Sequence, residues 1–142
     1  MTTKEEHLKK IKEHLDEIND AINEGAENKP ITIGFHCCSC AVQFLELYLH
    51  LKNKIPIGKV VKHDWFKKPQ SGQKIEPLIE RKLSVEFEKK QEIYNLIYNL
   101  EEQRNKLVYG SPAETEIKNT INNFNKLKTI FREILKDENI EI

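Results

Sequence analysis

Arginine is scarce in this 142-residue chain: Arg81, Arg104 and Arg132 stand among twenty lysines. Where nearly every other cation is Lys, an arginine beside an asparagine, Arg104-Asn105, points to a need for the planar guanidinium fork. That fork holds phosphate oxygens bidentately, which an ammonium cannot do. Tyr109 follows five positions later, close enough to point to the same side of a predicted helix end. The competing reading is purely architectural: an ion pair from Arg104 to Glu101, and a tyrosine capping the core.

A second group lies at Lys62-His63-Asp64-Trp65-Phe66, flanked by Lys59, Lys67 and Lys68. Lysines hold phosphates, and an indole can stack on a base. His63 is the only histidine in this stretch, and an imidazole moves protons near neutral pH. The alternative is a solvated lysine loop with Trp65 and Phe66 anchored in the core. The third group is His36-Cys37-Cys38-Ser39-Cys40. On a helix His36, Cys37 and Cys40 share a face and offer three ligands, but zinc wants four. No second Cys/His pair with ligand spacing supplies the rest. No strand precedes the Cys-x-x-Cys run either, which redox motifs require. The expectation is small buried thiols at a tight helix crossing, with no metal site and no cofactor.

The positive charge is local. The chain carries 23 basic and 23 acidic residues, yet the stretch from Lys52 to Lys74 holds seven Lys, one Asp and no Glu. Net charge thus gives no case for nucleic-acid binding, and the local excess gives a modest one. Hydrophobic residues make up 38% and charged residues 32%, which suits helices with one apolar stripe and one wet face. The apolar runs fall short of the roughly 18 residues of a membrane span. The MTTKEEHLKK start has no apolar core behind its charges, so no secretory signal is expected. Three cysteines within four positions make no disulfide framework, and the expected compartment is a reducing cytoplasm.

These groups must be carried by few, long elements. Leu8, Ile11, Leu15, Ile18 and Ile22 predict an amphipathic helix over residues 4–25. Residues 31–53 predict a second helix, apolar most of the way round and therefore central, with small residues in its early turns. Pro56, Gly58, Pro69 and Gly72 break the pattern and make 54–74 a long basic connection. Residues 75–109 are helical again, with a short first piece over 75–83. Gly110 fits the position after a helix end, and Ser111-Pro112-Ala113-Glu114 reads as a capping box opening a last helix over about 112–137. No strand pattern appears. The fold predicted is a single all-α domain over 1–142, an up-and-down antiparallel bundle of four long helices plus a short extra one.

Arg104-Asn105-x-x-x-Tyr109 at the end of a bundle helix resembles the signature of HEPN (higher-eukaryote and prokaryote nucleotide-binding) domains. In that family an Arg, often followed by Asn, Asp or His, precedes a His by four to six residues. Ile33-Gly34-Phe35-His36 through Leu51 is similar to the family's second helix, and Lys62-His63 looks like the Lys/Ser-His after its loop. The resemblance spans about residues 5–135.

It implies a dimeric bundle in which two Arg-x-His motifs meet to form a metal-independent ribonuclease site. There the 2′-OH attacks the adjacent phosphate, the His acts as acid or base and the Arg stabilises the developing charge. Some members are toxins paired with a small nucleotidyltransferase antitoxin, and others are binding modules without catalysis. The resemblance assigns Arg104, Asn105 and Tyr109 to the catalytic positions, with Lys59, Lys62, His63, Lys67 and Lys68 on nucleic acid. Tyr109 departs from the pattern: a phenol, with a pKa near 10, is a poor base at neutral pH. The expectation is a homodimeric domain that binds RNA or a nucleotide, with weak or no ribonuclease activity. The alternatives are an active ribonuclease toxin and a helical interaction module without a nucleic-acid role. No membrane partner is expected.

Overall fold

The computed structural model describes residues 3–69, 72 and 74–142, and all of its long elements are helices. Helix α1 runs Lys4–Gly25. Thr3 opens it with a full capping box: its Oγ1 accepts from the Glu6 N–H (3.1 Å), and its own N–H donates to Glu6 Oε2 (2.7 Å). Gly25 stops the helix at φ +103°, a left-handed conformation that glycine tolerates. A 3₁₀ turn over Ala26–Asn28 leads to Pro30, which opens helix α2, Pro30–Leu51. The predicted stripe of α1 is rotated slightly. His7 and Ala21 join Ile11 and Ile18 in the core, while Ile22 is exposed.

Helix α2 is the central element, as its apolar circumference predicts. It packs on α1, on α4 (Lys90–Tyr109) and on α5 (Glu114–Lys136). Among the described residues it is the one helix long and apolar enough to cross a membrane, contrary to the expectation that none would be. Of that stretch, 67% is buried inside the bundle, so its apolar character is accounted for by the core. Phe44 lies against Phe124 and Phe131, with ring centroids 6.2 and 5.4 Å apart. The small residues at the start of α2 serve close approach. A Cβ on Gly34 would sit 2.7 Å from Leu107 Cβ, so α4 crosses where only hydrogen fits.

Paired residues fix the topology. His7 meets Gln43, and His14 meets His36, so α1 and α2 are antiparallel. Asn99 meets Asn123, and Lys106 meets Glu116, so α4 and α5 are antiparallel too. Phe44 with Phe124 and Tyr48 with Phe131 make α2 and α5 parallel. This is the predicted all-α up-and-down bundle.

Among its described residues, the connection after α2 holds one 3₁₀ turn, His63–Trp65. Trp65 and Phe66 are buried, and Phe66 meets Tyr94 and Tyr98 edge-on at 5.3 and 5.7 Å. The aromatic pair therefore pins the connection to α4. The short extra helix exists as α3, Leu78–Lys82, but residues 83–89 are not helical. Leu83 is extended, and Lys89 takes a left-handed φ of 60° before α4 begins. The last helix starts later than predicted. Pro112 stays outside α5, and the cap forms two positions on, where Glu116 Oε1 accepts from the Ala113 N–H (3.0 Å). Ala113 has no side-chain acceptor to complete the box. Gly110 is extended rather than left-handed; its lack of a Cβ matters because one would lie 2.8 Å from the Lys106 carbonyl oxygen.

Candidate functional site

The basic connection and α4 enclose a cleft of about 340 Å³. Lys67, Lys68 and Asn105 line it together with Phe66, Tyr98 and the acids Glu101 and Glu102. Lys68 Nζ stands 5.9 Å over the Tyr98 ring. Two of the predicted lysines and one of the three predicted catalytic residues thus share one concave surface. Glu102 and Glu101 offset the lysine charge there, so the cleft is mixed rather than strongly positive.

Beneath the cleft lies a residue that the sequence pattern did not single out. Glu101 is only 2% exposed. Its Oε2 receives His63 Nδ1 at 2.8 Å and the Cys38 thiol at 3.3 Å. A buried carboxyl is costly unless paired, and this one is paired from two other elements. The signal was present: position 101 follows Ile97 by one turn on the stripe of α4 that is otherwise apolar. The geometry also gives His63 an orientation. Nδ1 faces the carboxyl, so Nε2 is left as the outward nitrogen. From the connection, His63 thus docks on α4 at Glu101, three positions before Arg104, on the helix that carries all three predicted catalytic residues.

Arg104 does not take up the Glu101 partner that its spacing offers. Its guanidinium carbon lies 5.9 Å from the centroid of Phe35, and its Nε is buried without a hydrogen-bond partner. Phe35 is itself 41% exposed, so the pair forms a partly open corner between α2 and α4. His14 and His36 complete that corner. Their Nδ1 atoms are 2.9 Å apart, and each ring lies edge-on or tilted to Phe35 or to the other. Burial lowers the pKa of both, and the charge of His36 lowers that of His14 further. Tyr109 is 77% exposed at the last position of α4 and caps no core.

The remaining lysines face elsewhere. Lys59 stands 5.7 Å over Trp65, and Lys62 and His63 line a shallow depression with Ser39, Val42, Gln43 and Asp64. The predicted nucleic-acid set is therefore divided between two sides of the connection. The cysteines follow the architectural reading: Cys37, Cys38 and Cys40 are buried and unpaired as disulfides. Burial pushes all three thiols up, and Glu101 adds to the shift at Cys38. Such thiols are poor nucleophiles and poor ligands. Compared with known protein families, curated proteins and solved structures, the chain matches none.

Proposed function

We propose that this chain is a HEPN-like domain that binds RNA or a nucleotide in the cleft between its basic connection and α4, with weak or no ribonuclease activity. The observation that carries this reading is the fold-over of the connection: His63, Lys67 and Lys68 reach the helix that bears Arg104 and Asn105, and His63 Nδ1 is held 2.8 Å from Glu101 Oε2. Lysines at a cleft rim bind phosphate as point charges, and Asn105 offers an amide to a sugar or base edge. Tyr109, exposed and lacking a base near neutral pH, supports binding over cleavage. The domain acts as a homodimer in this reading. Support comes from Ile31, Phe35 and Tyr109, which are exposed apolar or aromatic side chains at the bundle end where α2 begins and α4 stops. A small nucleotidyltransferase-type antitoxin is the protein partner that the resemblance implies.

One observation favours a second reading as an active ribonuclease. An imidazole oriented by a buried carboxyl is a general acid or base in form, and His63 supplies what Tyr109 lacks. In this variant His63 moves the proton, Arg104 swings from Phe35 to the phosphate and Asn105 positions the sugar. The test of both is metal-free incubation of labelled single-stranded RNA with the purified chain, beside Arg104→Ala and His63→Ala. Retention that weakens with salt, without cleavage, is the expected outcome. Cleavage lost in both variants would establish the ribonuclease. Neither retention nor cleavage would leave an interaction module and overturn the proposal.

A further inference from the structure

On the opposite side of the connection, the start of α1 and the end of α2 bring together His7, Glu46 and His50. Each offers one ligand-type atom, and these atoms lie within 4.8 Å of one another. Glu46 and His50 are one turn apart on α2, and His7 arrives from α1. His7 is 1% and Glu46 3% exposed, which is deep for two titratable side chains.

The hydrogen bonds around the trio fix which atoms remain free. His7 Nδ1 faces two acceptors, Gln43 Oε1 at 3.2 Å and Glu46 Oε2 at 3.4 Å. Nδ1 is thus the ring nitrogen on the Glu46 side, while Nε2, on the far edge of the ring, is buried without any hydrogen-bond partner. His50 Nε2 lies 2.9 Å from the Lys59 carbonyl oxygen and donates to it, so its Nδ1 keeps the lone pair. Glu46 Oε1 accepts from the Val61 N–H at 2.7 Å, which leaves Oε2 uncommitted to the backbone. Outer hydrogen bonds that set the tautomer and swing of each imidazole are the usual support of a metal ligand. The ring centroids of His7 and His50 are 5.4 Å apart. Two imidazoles on one tetrahedral ion, at metal–nitrogen distances of roughly 2.0–2.1 Å, have centroids about 5 Å apart.

We propose that His7, Glu46 and His50 bind one divalent transition-metal ion, with zinc the best match to two imidazoles and a carboxylate. The ion takes His7 Nδ1, Glu46 Oε2 and His50 Nδ1, and Gln43 Oε1, 3.2 Å from His7 Nδ1, is the fourth donor on that side. A pocket of about 320 Å³, lined by His7 and His50 with Leu47, Leu51, Ile55 and Ile57, lies beside the trio. The site uses none of the cleft residues and does not depend on the RNA-binding reading. Through Lys59 and Val61 it would also clamp the first half of the connection.

The experiment is calorimetric titration of the chelator-treated full chain with Zn²⁺ alone, with Co²⁺ absorption as a second probe. One equivalent of saturable binding is expected, with a d–d spectrum of nitrogen and oxygen ligation and a raised Tm. His50 is partly exposed, so His50→Gln should fold and lose most of that binding. Gln43→Ala keeps all three residues and should weaken binding roughly 10-fold or more by removing the oxygen beside His7 Nδ1. Circular dichroism checks that each variant is folded. No saturable binding by the folded chain would overturn the proposal. So would binding unchanged in His50→Gln, or a thiolate-to-cobalt charge-transfer band.

Discussion

Glu46 and Glu101 are the same device used in two settings. Each is a buried acid on an otherwise apolar helical stripe, and each receives a group from the connection: the Val61 N–H for Glu46 and the His63 ring for Glu101. Only Lys62 separates those groups, so the connection is strapped to α2 and α4 by closely spaced bonds. The surroundings differ. Glu46 faces His7, whose Nε2 is buried without a partner, whereas the side chain of His63 is 40% exposed, beside Lys62 in the shallow depression on the other side of the connection. The same carboxyl–imidazole pair is closed at one strap and open at the other, where the imidazole can meet a ligand.

The sharpest way to break this comparison is to remove each carboxyl. Glu46→Ala leaves the Val61 N–H buried without an acceptor and His7 Nδ1 with Gln43 alone, and is expected to cost about 3 kcal/mol, the upper end for orphaning a buried donor. Glu101→Ala frees an imidazole that can turn to water, so about 1 kcal/mol is expected. Urea midpoints of the chelator-treated proteins measure both. Equal losses would mean that the two straps are energetically alike and that the open-and-closed distinction is wrong.

Most of the fold was legible because its period is written in the residues. The stripe of α5 (Ile117, Phe124, Leu127, Phe131 and Ile134) lies in the core as its spacing predicts. The Gly-Cys start of α2 proved to be a tight crossing, since small side chains have one obvious use. The straps were not legible. Glu101 differs from the neighbouring Glu102 by lying on the apolar stripe one turn after Ile97, but its partners His63 and Cys38 come from other elements and only the fold-over of the connection brings them there. His7 was missed for a related reason. A polar residue on the core face reads as a break in the stripe until Gln43 and Glu46 are seen opposite it. The late start of α5 escaped too, because Ser111 and Ala113 both precede an acid at capping distance and only the backbone chooses between them.

The open side can be probed by charge. Lys67→Ala with Lys68→Ala should lower RNA retention about tenfold at low salt and make its salt dependence shallower, by about one unit of log–log slope per lysine. Lys59→Ala with Lys62→Ala, on the other side of the connection, should do less. Filter retention across a salt series measures both. Equal effects would show that the cleft is not where phosphates bind, and would dissolve the functional half of the comparison.

The smallest expected effect guards the comparison against a false attribution. Acid will weaken this protein, and a histidine at either strap would be an easy suspect. The corner at His14 and His36 accounts for the effect instead. Burial holds both rings below the ordinary value of 6.5, His36 lowers His14 further, and Glu13 and Glu17 on α1 offset part of this. Two imidazolium rings cannot share the 2.9 Å contact between their Nδ1 atoms, and Arg104 adds positive charge against the same Phe35. Well above pH 6.5 both rings are neutral folded or unfolded, and they contribute no pH dependence. As pH falls through 6.5 the unfolded chain takes up protons that the folded chain refuses, so stability declines until the lower folded pKa values are passed. Replacing His14 and His36 together with Gln should flatten Tm against pH in that window. A slope that survives the double replacement would show that this corner does not set it.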